Sequence, residues 1–387
     1  MNCWIEVNLG AIRHNYREVS ALVGASSKVI AVIKANAYGH GAVEVARTLS
    51  EEGVSCLAVT RLDEALPIRA AGILTPILLL APALPDELDE VLAHNLTATV
   101  TGLEDAQRLS DAAAKRGVTA RAHLKINTGM GRLGVEHDIA AETAGRIAAL
   151  PHFALEAAFT HFAFAAERDP SDTHLQFSKF QPLIHWINRS AGVPPQNFHC
   201  ANSAAILRFP SMRLSTVRPG TILYGQFPSA MAAESAQTQR VELREGFQAK
   251  ARVLSVREAQ RGQTVGYGGE WKASRPSRIA TLAVGYADGL SQEPNTRQLD
   301  AGKEFRASLK QTARRAAQLT RIKGADATRT VKIRGERASI IGRIAMQQCS
   351  IDVTDIEGVQ VGDEVEVWMR RTSAGAHLPR VYKDELE

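Results

Sequence analysis

Hydrophobic and polar positions follow two different rhythms along this chain, and the change falls near residue 235. From residue 28 to about 225, short apolar runs alternate with stretches of helical period. The runs are 29–33 (VIAVI), 55–60 (SCLAVT), 76–80 (PILLL), 97–101 (TATVT), 120–126 (ARAHLKI), 155–160 (LEAAFT), 197–200 (NFHC) and 214–217 (LSTV). Between them, segments such as 42–52 place Ala42, Val45, Ala46 and Leu49 at i, i+3, i+4 and i+7, which gives a helix one apolar face. Eight strands separated by helices predict an α/β fold, a (β/α)8 barrel of the TIM type. An open doubly wound sheet is the alternative, but it usually stops at about six or seven strands. No G-x-G-x-x-G follows the first run.

Beyond residue 235 the helical period disappears. Residues 231–239 (MAAESAQTQ) read as a linker of small and polar residues. The runs that follow, such as FQAKARVLSV and RASIIGRIAMQQCSIDV, predict a mainly antiparallel β-domain. The expected division is therefore 1–235 and 236–387, with the opening run, about 3–8, a candidate to pack with the second domain. Residues 297–330 interrupt this domain with nine Lys/Arg against three Asp/Glu, and read as an inserted amphipathic helix. A solvated basic face is favoured there over an anionic partner.

Composition narrows the picture only a little. At 387 residues two domains, or a large barrel with an appendage, are the first expectation. Hydrophobic content of 45% and charged content of 22% are ordinary for a globular protein. A net charge of +5 suits anionic ligands without pointing to nucleic acid. Cys3, Cys56, Cys200 and Cys349 lie far apart with no metal-ligand spacing, so they read as reduced structural thiols. Glu6 interrupts the N-terminal apolar stretch, and prolines break GILTPILLLAPALP. Neither a signal peptide nor a membrane span is expected, and the chain reads as cytoplasmic.

The candidate chemistry collects at the carboxyl ends of the expected strands, where such barrels place their active sites. The first strand ends on Lys34, and NTGMGRLG with Arg132 follows the fifth. The sixth runs into His161, the seventh into Asn202 and Ser203, and the eighth into Arg218 and Gly220. Each has a plain structural explanation alone: a solvated lysine, a satisfied core histidine, ion-paired arginines, an N-cap, a turn glycine. Together on one rim they match the needs of pyridoxal phosphate. That cofactor takes an amine for a Schiff base, N–H and hydroxyl donors for its phosphate, and a group at its ring nitrogen. Ser203 at a helix start, with the backbone at Gly220 and Thr221, suits the phosphate.

VIKANAYGHG, LKINTGMGRLG, THFAFAAE, ANSAA, RPGTILYG, GYADG and GRIAMQQ occur in the order found in alanine racemases. The chain resembles this family of fold-type III pyridoxal-phosphate enzymes over nearly its whole length. The resemblance implies that Lys34 carries the cofactor. Tyr38 reaches the phosphate with Ser203, Gly220 and Thr221, beside Asn202, and Arg132 meets the phenolic oxygen. Arg218 faces the pyridine nitrogen, and His161 lies beside the ring in line with Arg218. It further implies that Tyr286 is a second base reaching into a partner's barrel across a homodimer. Met346, with Arg132, belongs to the substrate end, and Lys125 matches a lysine that some members carbamylate.

The implied reaction is interconversion of L- and D-alanine. Racemisation needs proton exchange on both faces of Cα, which Lys34 and Tyr286 would divide. Free phenol and ammonium groups both titrate near pH ~10, so both need help to act as bases. Some positions depart from the family pattern. Gln347 stands where aspartate normally follows the methionine, Asn127 where aspartate is common, and the C-terminus is short, so no role passes to Tyr382. These changes leave open a racemase of broader amino-acid range. A decarboxylase of the same fold type would be expected to carry an acidic group at the ring nitrogen, against Arg218. A non-catalytic pyridoxal-phosphate-binding protein would lack the β-domain with Tyr286. No metal, membrane or nucleic-acid partner is expected.

Overall fold

A computed structural model describes residues 1–24, 27–290 and 329–385. The chain divides into two compact units, Asn8–Gly246 with the stretch from Lys383, and Met1–Val7 with Phe247–Tyr382.

The first unit opens on the helix Leu9–Val23, whose first turn is capped by Asn8 accepting from the Ala11 N–H. Eight parallel strands follow: Lys28–Val32, Cys56–Val59, Ile77–Leu79, Ala98–Val100, Ala120–Asn127, Phe153–Phe159, Phe198–His199 and Thr216–Val217. Each pairs with its neighbours in chain order, through ladders or, at two seams, through the single bridges Leu78↔Thr97 and Asn202↔Arg218. Thr216↔Lys28 joins the eighth strand to the first, so the sheet closes as a barrel. All eight expected strands are present, most of them trimmed at their ends, and the segment at 42–52 forms the helix Ala42–Glu51.

The fifth strand explains how this barrel differs inside from an oily one. In Ala120–Asn127 the apolar residues Ala120, Ala122, Leu124 and Ile126 are buried at alternate positions. Because strand side chains alternate in direction, Arg121, His123, Lys125 and Asn127 share the other face. His123 and Lys125 line the two cavities described below, so this polar face points into the barrel.

One expectation fails. Residues 231–239 form not a linker but most of the helix Ala230–Thr238, capped by Ser229 accepting from the Ala232 N–H. Ala232 and Ala236 are fully buried, one turn apart. Small residues that look like a loop are here what lets a helix approach its neighbours closely, and alanine is the best helix former.

The second unit is a closed antiparallel barrel of six strands. Its order is Ser277–Leu282, Cys349–Asp352, Glu336–Ile341, Thr330–Ile333, Glu364–Val367 and Phe247–Ala259, the last returning to Ser277–Leu282. Cys3–Asn8 joins Phe247–Ala259 in antiparallel register from Cys3↔Ala251 to Val7↔Phe247, and Arg380–Lys383 lies beyond it. The expected basic helix at 297–330 lies outside the described residues, apart from its last two positions. Among the described residues no helix is long and apolar enough to cross a membrane.

In the first unit, Asn15 ties the opening helix to the chain that leaves the barrel. Its Nδ2 donates to Leu223 O (3.1 Å) and Arg244 O (2.8 Å), and its Oδ1 accepts from Arg244 N (2.7 Å), while Asn15 itself is fully buried. Asn15→Ala strands these backbone groups, and is expected to cost roughly 3 kcal/mol. A lowered urea midpoint of the purified variant checks this.

Candidate active site

The carboxyl ends of the barrel strands open into a cavity of ≈ 490 Å³. Lys34, Lys125, Arg132 and Arg218 line it, and its lining contains no carboxylate. Four cations in a lining whose described residues include no carboxylate favour an anionic ligand before any particular residue is considered.

Lys34 ends the first strand, and the backbone then turns left-handed. Ala35, Asn36, Ala37 and Tyr38 all have φ between 51° and 53°. A left-handed turn of L-residues costs roughly 1–2 kcal/mol per residue, so something must hold it. Ala37 N donates to Ile33 O (2.8 Å), and Ala42 N to the Asn36 side chain (2.8 Å). The Ala35 N–H donates to Glu64 Oε1 at 2.5 Å, while Glu64 Oε2 accepts from Thr60 N and Arg61 N at the end of the second strand. Burial, and then the charge of Arg132, push the Lys34 ammonium below its ordinary value, with Glu64 opposing.

The left-handed turn delivers Tyr38 to the far side of the cavity, with its ring 4.8 Å from that of Tyr224. A Cβ on Gly220 would stand 2.6 Å from the Tyr38 hydroxyl, so only glycine lets the phenol come this close. The Gly220 N–H donates to Ser203 Oγ (2.8 Å), which leaves the serine proton free to point elsewhere. Thr221 Oγ1 is buried with no hydrogen-bond partner. Three hydroxyls, one of them orphaned, thus line one cavity, and a phosphate is the ligand such donors fit. Asn202 also lines it, but both ends of its amide are engaged. Oδ1 caps the helix Ser203–Arg208 through Ala205 N, and Nδ2 donates to Phe162 O. Its part is to place Ser203.

Arg218 is almost fully buried, at 3% exposure. Its Nη2 donates to Thr160 O (2.7 Å), Cys200 O (3.4 Å) and His161 Nδ1 (3.3 Å), and its Nη1 to His199 Nδ1 (2.5 Å). Burial brings the guanidinium down to about 10, which leaves it charged at neutral pH. Burial and this charge hold His161 and His199 well below the imidazole range, so both are neutral acceptors toward Arg218. Lys125, above the Phe159 ring, falls to about 8 through burial, Arg218, Arg132 and Lys34.

Arg132 projects from the turn that Asn127 organises. Asn127 Oδ1 accepts from Gly129 N and Gly131 N, as a carboxylate could, while Nδ2 donates to Glu136 Oε1 (2.8 Å). Here the departure from aspartate has its partner.

Ten of the expected site residues line this cavity. Tyr286 and Met346 belong to the second unit, where the structure joins their segments: Tyr286 N donates to Ala345 O and Ala287 N to Met346 O. Both side chains are exposed, at 45% and 59%. Gly285 makes the junction possible, since a Cβ there would stand 2.3 Å from the carbonyls of Ala345 and Met346. The sequence reading missed Glu64, His199 and His123. A glutamate three residues after Arg61, at a helix start, was the available signal for Glu64. His123 stands two residues before Lys125 on one strand and therefore shares its face.

An amine at one strand end, hydroxyls for a phosphate, one of them unsatisfied, and a guanidinium buried behind them define a barrel enzyme built around pyridoxal phosphate, and each group fits a part of that cofactor. Comparison gives the family. Residues 7–228 match the model for the alanine racemase N-terminal domain, and 247–311 with 313–381 that for the C-terminal domain. The chain belongs to the alanine racemase family, whose members depend on pyridoxal phosphate. It is 38% identical over 379 residues to an alanine racemase of Desulforamulus reducens, covering 97% of this chain and 91% of that one. One from Methanococcus maripaludis is 37% identical over 366 residues, covering 94% and 88%. The alanine racemase structure from Clostridium difficile 630 superposes with a TM-score of 0.86 at 30% identity, covering 100% of this chain and 97% of that chain.

Asn127→Asp is expected to set a carboxylate against Glu136 and lower stability by about 1 kcal/mol, seen as a lower melting temperature. A second expectation concerns pH. His123, His161 and His199 are held neutral in the fold, His123 at about 3, below the ordinary 6.5. Unfolding below that value therefore takes up protons the folded state refuses, and stability falls as pH drops. The limiting slope is about 1.4 kcal/mol per pH unit for each imidazole. Urea midpoints of the apoprotein at pH 7.5 and 5.5 should show the loss, and His123→Gln should reduce it.

Proposed function

We propose that this chain interconverts L- and D-alanine in a pyridoxal-phosphate homodimer, with Lys34 and a partner subunit's tyrosine, at position 286, acting on opposite faces of Cα. The carrying observation is the electrostatics of the cavity. Lys34 is destabilised as an ammonium inside a lining of cations and hydroxyls that suits a phosphate and a substrate carboxylate. Bound pyridoxal phosphate supplies an electron sink that makes the α-proton of an attached amino acid acidic enough to remove.

The chain's own groups account for the rest. Tyr38, Ser203 and Thr221 bind the phosphate and so fix where the amino acid must lie. Lys34 holds or takes a proton at Nζ, and its lowered affinity raises the neutral fraction available. Arg218 can only donate, and its charge disfavours a proton on a ring nitrogen facing it. Arg218 would in this way favour return of the proton to Cα over transamination. Arg132 and the Met346 segment take the carboxylate side.

Lys125, with its amine at about 8 beside Arg132, is a candidate for carbamylation. That would turn one of the four cations into a negative group among the other three. The segments that carry Tyr286 and Met346 are fastened together by the backbone hydrogen bonds Tyr286 N to Ala345 O and Ala287 N to Met346 O, so the second base and the substrate contact would arrive together.

Purified protein with cofactor, offered L- and D-amino acids with chiral detection, tests the reading. A Schiff-base absorption band without interconversion of alanine would sink it. Tyr286→Phe is expected to keep the band and lose about a hundredfold or more in racemisation. Activity near wild type would assign the second base elsewhere.

A further inference from the structure

The barrel has a second opening. Lys28, Cys56, Thr97, Asn197 and Thr216, which stand at or just before the amino-terminal ends of their strands, line a cavity of ≈ 390 Å³ at the face opposite the rim carrying Lys34. His123, His199 and Glu156 line it as well.

Proton positions here follow from Arg218, which has no acceptor to offer. His199 Nδ1 must therefore accept from it, and a neutral ring then carries its proton on Nε2. That Nε2–H lies 3.1 Å from His123 Nδ1, so His123 accepts in turn and keeps its own proton on Nε2. This last N–H, on a ring lining the second cavity, has no acceptor among the described residues. A line of hydrogen bonds thus runs from the buried guanidinium to the opposite mouth of the barrel, ending on an unused donor.

The same cavity holds both signs of charge. Lys28 Nζ donates to Asn197 Oδ1 (3.1 Å), and Asn197 Nδ2 to Glu156 O (2.8 Å). Glu156 has a distant arginine, Arg121 Nε at 3.9 Å. Lys28 lies close enough to act electrostatically on both His123 and Glu156. A bare anion entering this space meets Glu156, and a bare cation meets Lys28. A molecule carrying both charges finds a partner for each.

We propose that this second cavity binds a small zwitterion of the amino-acid class, its carboxylate on His123 Nε2–H and Lys28 and its ammonium on Glu156, and that occupancy is transmitted through His123 and His199 to Arg218. A carboxylate accepting from His123 polarises that ring, which makes it and then His199 better acceptors for the groups behind them. The transmitted effect on turnover rests on the proposed role of Arg218 at the cofactor ring; binding itself does not.

The probe is N,N-dimethylglycine, a zwitterion whose tertiary amine cannot form a Schiff base. It is titrated into full-length, cofactor-loaded protein carrying ¹⁵N-histidine, with His123→Gln assigning the ring resonances. A saturable shift of the His123 signals is expected. Lys28→Met and Glu156→Gln should each weaken binding about tenfold without changing basal racemisation. In the same concentration range the racemisation rate should change without competition against alanine. No His123 shift, or one that acetate reproduces and Glu156→Gln leaves alone, overturns the site as a zwitterion receptor. Competition with alanine and no His123 shift would put the probe in the active site, with the same consequence. A His123 shift at constant rate overturns the coupling to Arg218.

Discussion

A guanidinium buried at the centre of a barrel has to be met by acceptors wherever it turns, and Arg218 organises much of this protein through that need. Two backbone carbonyls and two imidazoles surround it. Removing any one leaves part of a charge unsolvated where water cannot easily replace it. Its presence fixes which nitrogen of each histidine bears the proton, and, after burial, its charge depresses the proton affinity of His161, His199 and Lys125. The polar interior behaves as one electrostatic body. Among the described residues the cavity lining holds four cations and no acid, and burial with neighbouring cations holds two of them, Lys34 and Lys125, below their ordinary proton affinity.

Most of the barrel was legible because its strands are short apolar runs set off by helices of clear period. Lys34 and Arg218 were legible because a charged residue interrupts such a run at the end where ligands bind. The segment 231–239 was misread for a physical reason. Alanine and serine serve loops and tightly packed helices equally, and only burial of Ala232 and Ala236 separates the two. His199 and His123 were hidden in a different way. Each looks like a core histidine, and only the closing of the barrel brings one to within 3.1 Å of the other across 76 residues of chain. Glu64 works on backbone N–H groups, which no pattern of side-chain types reveals directly.

The departure from the family pattern at Asn127 is absorbed locally. Asn127 keeps the two turn hydrogen bonds of a carboxylate and uses its amide to satisfy Glu136, which faces it in the parallel pairing. The two residues are best understood as one choice. Tyr382, to which no role was transferred, sits in the strand Arg380–Lys383 of the second unit's sheet.

The left-handed turn after Lys34 also bears on when the site comes into being. Four consecutive residues in a sparsely populated conformation almost never coincide in a free chain, at roughly 4–8 kcal/mol of combined cost. Glu64 can hold the turn only after the first two barrel strands have paired. The pose of Lys34 thus depends on contacts that exist only once those strands are in place. Before that, Lys34 is an ordinary solvated lysine, without the burial and the neighbouring Arg132 that lower its proton affinity in the fold. The handedness of four residues thus ties the chemical character of one amine to completion of the barrel around it.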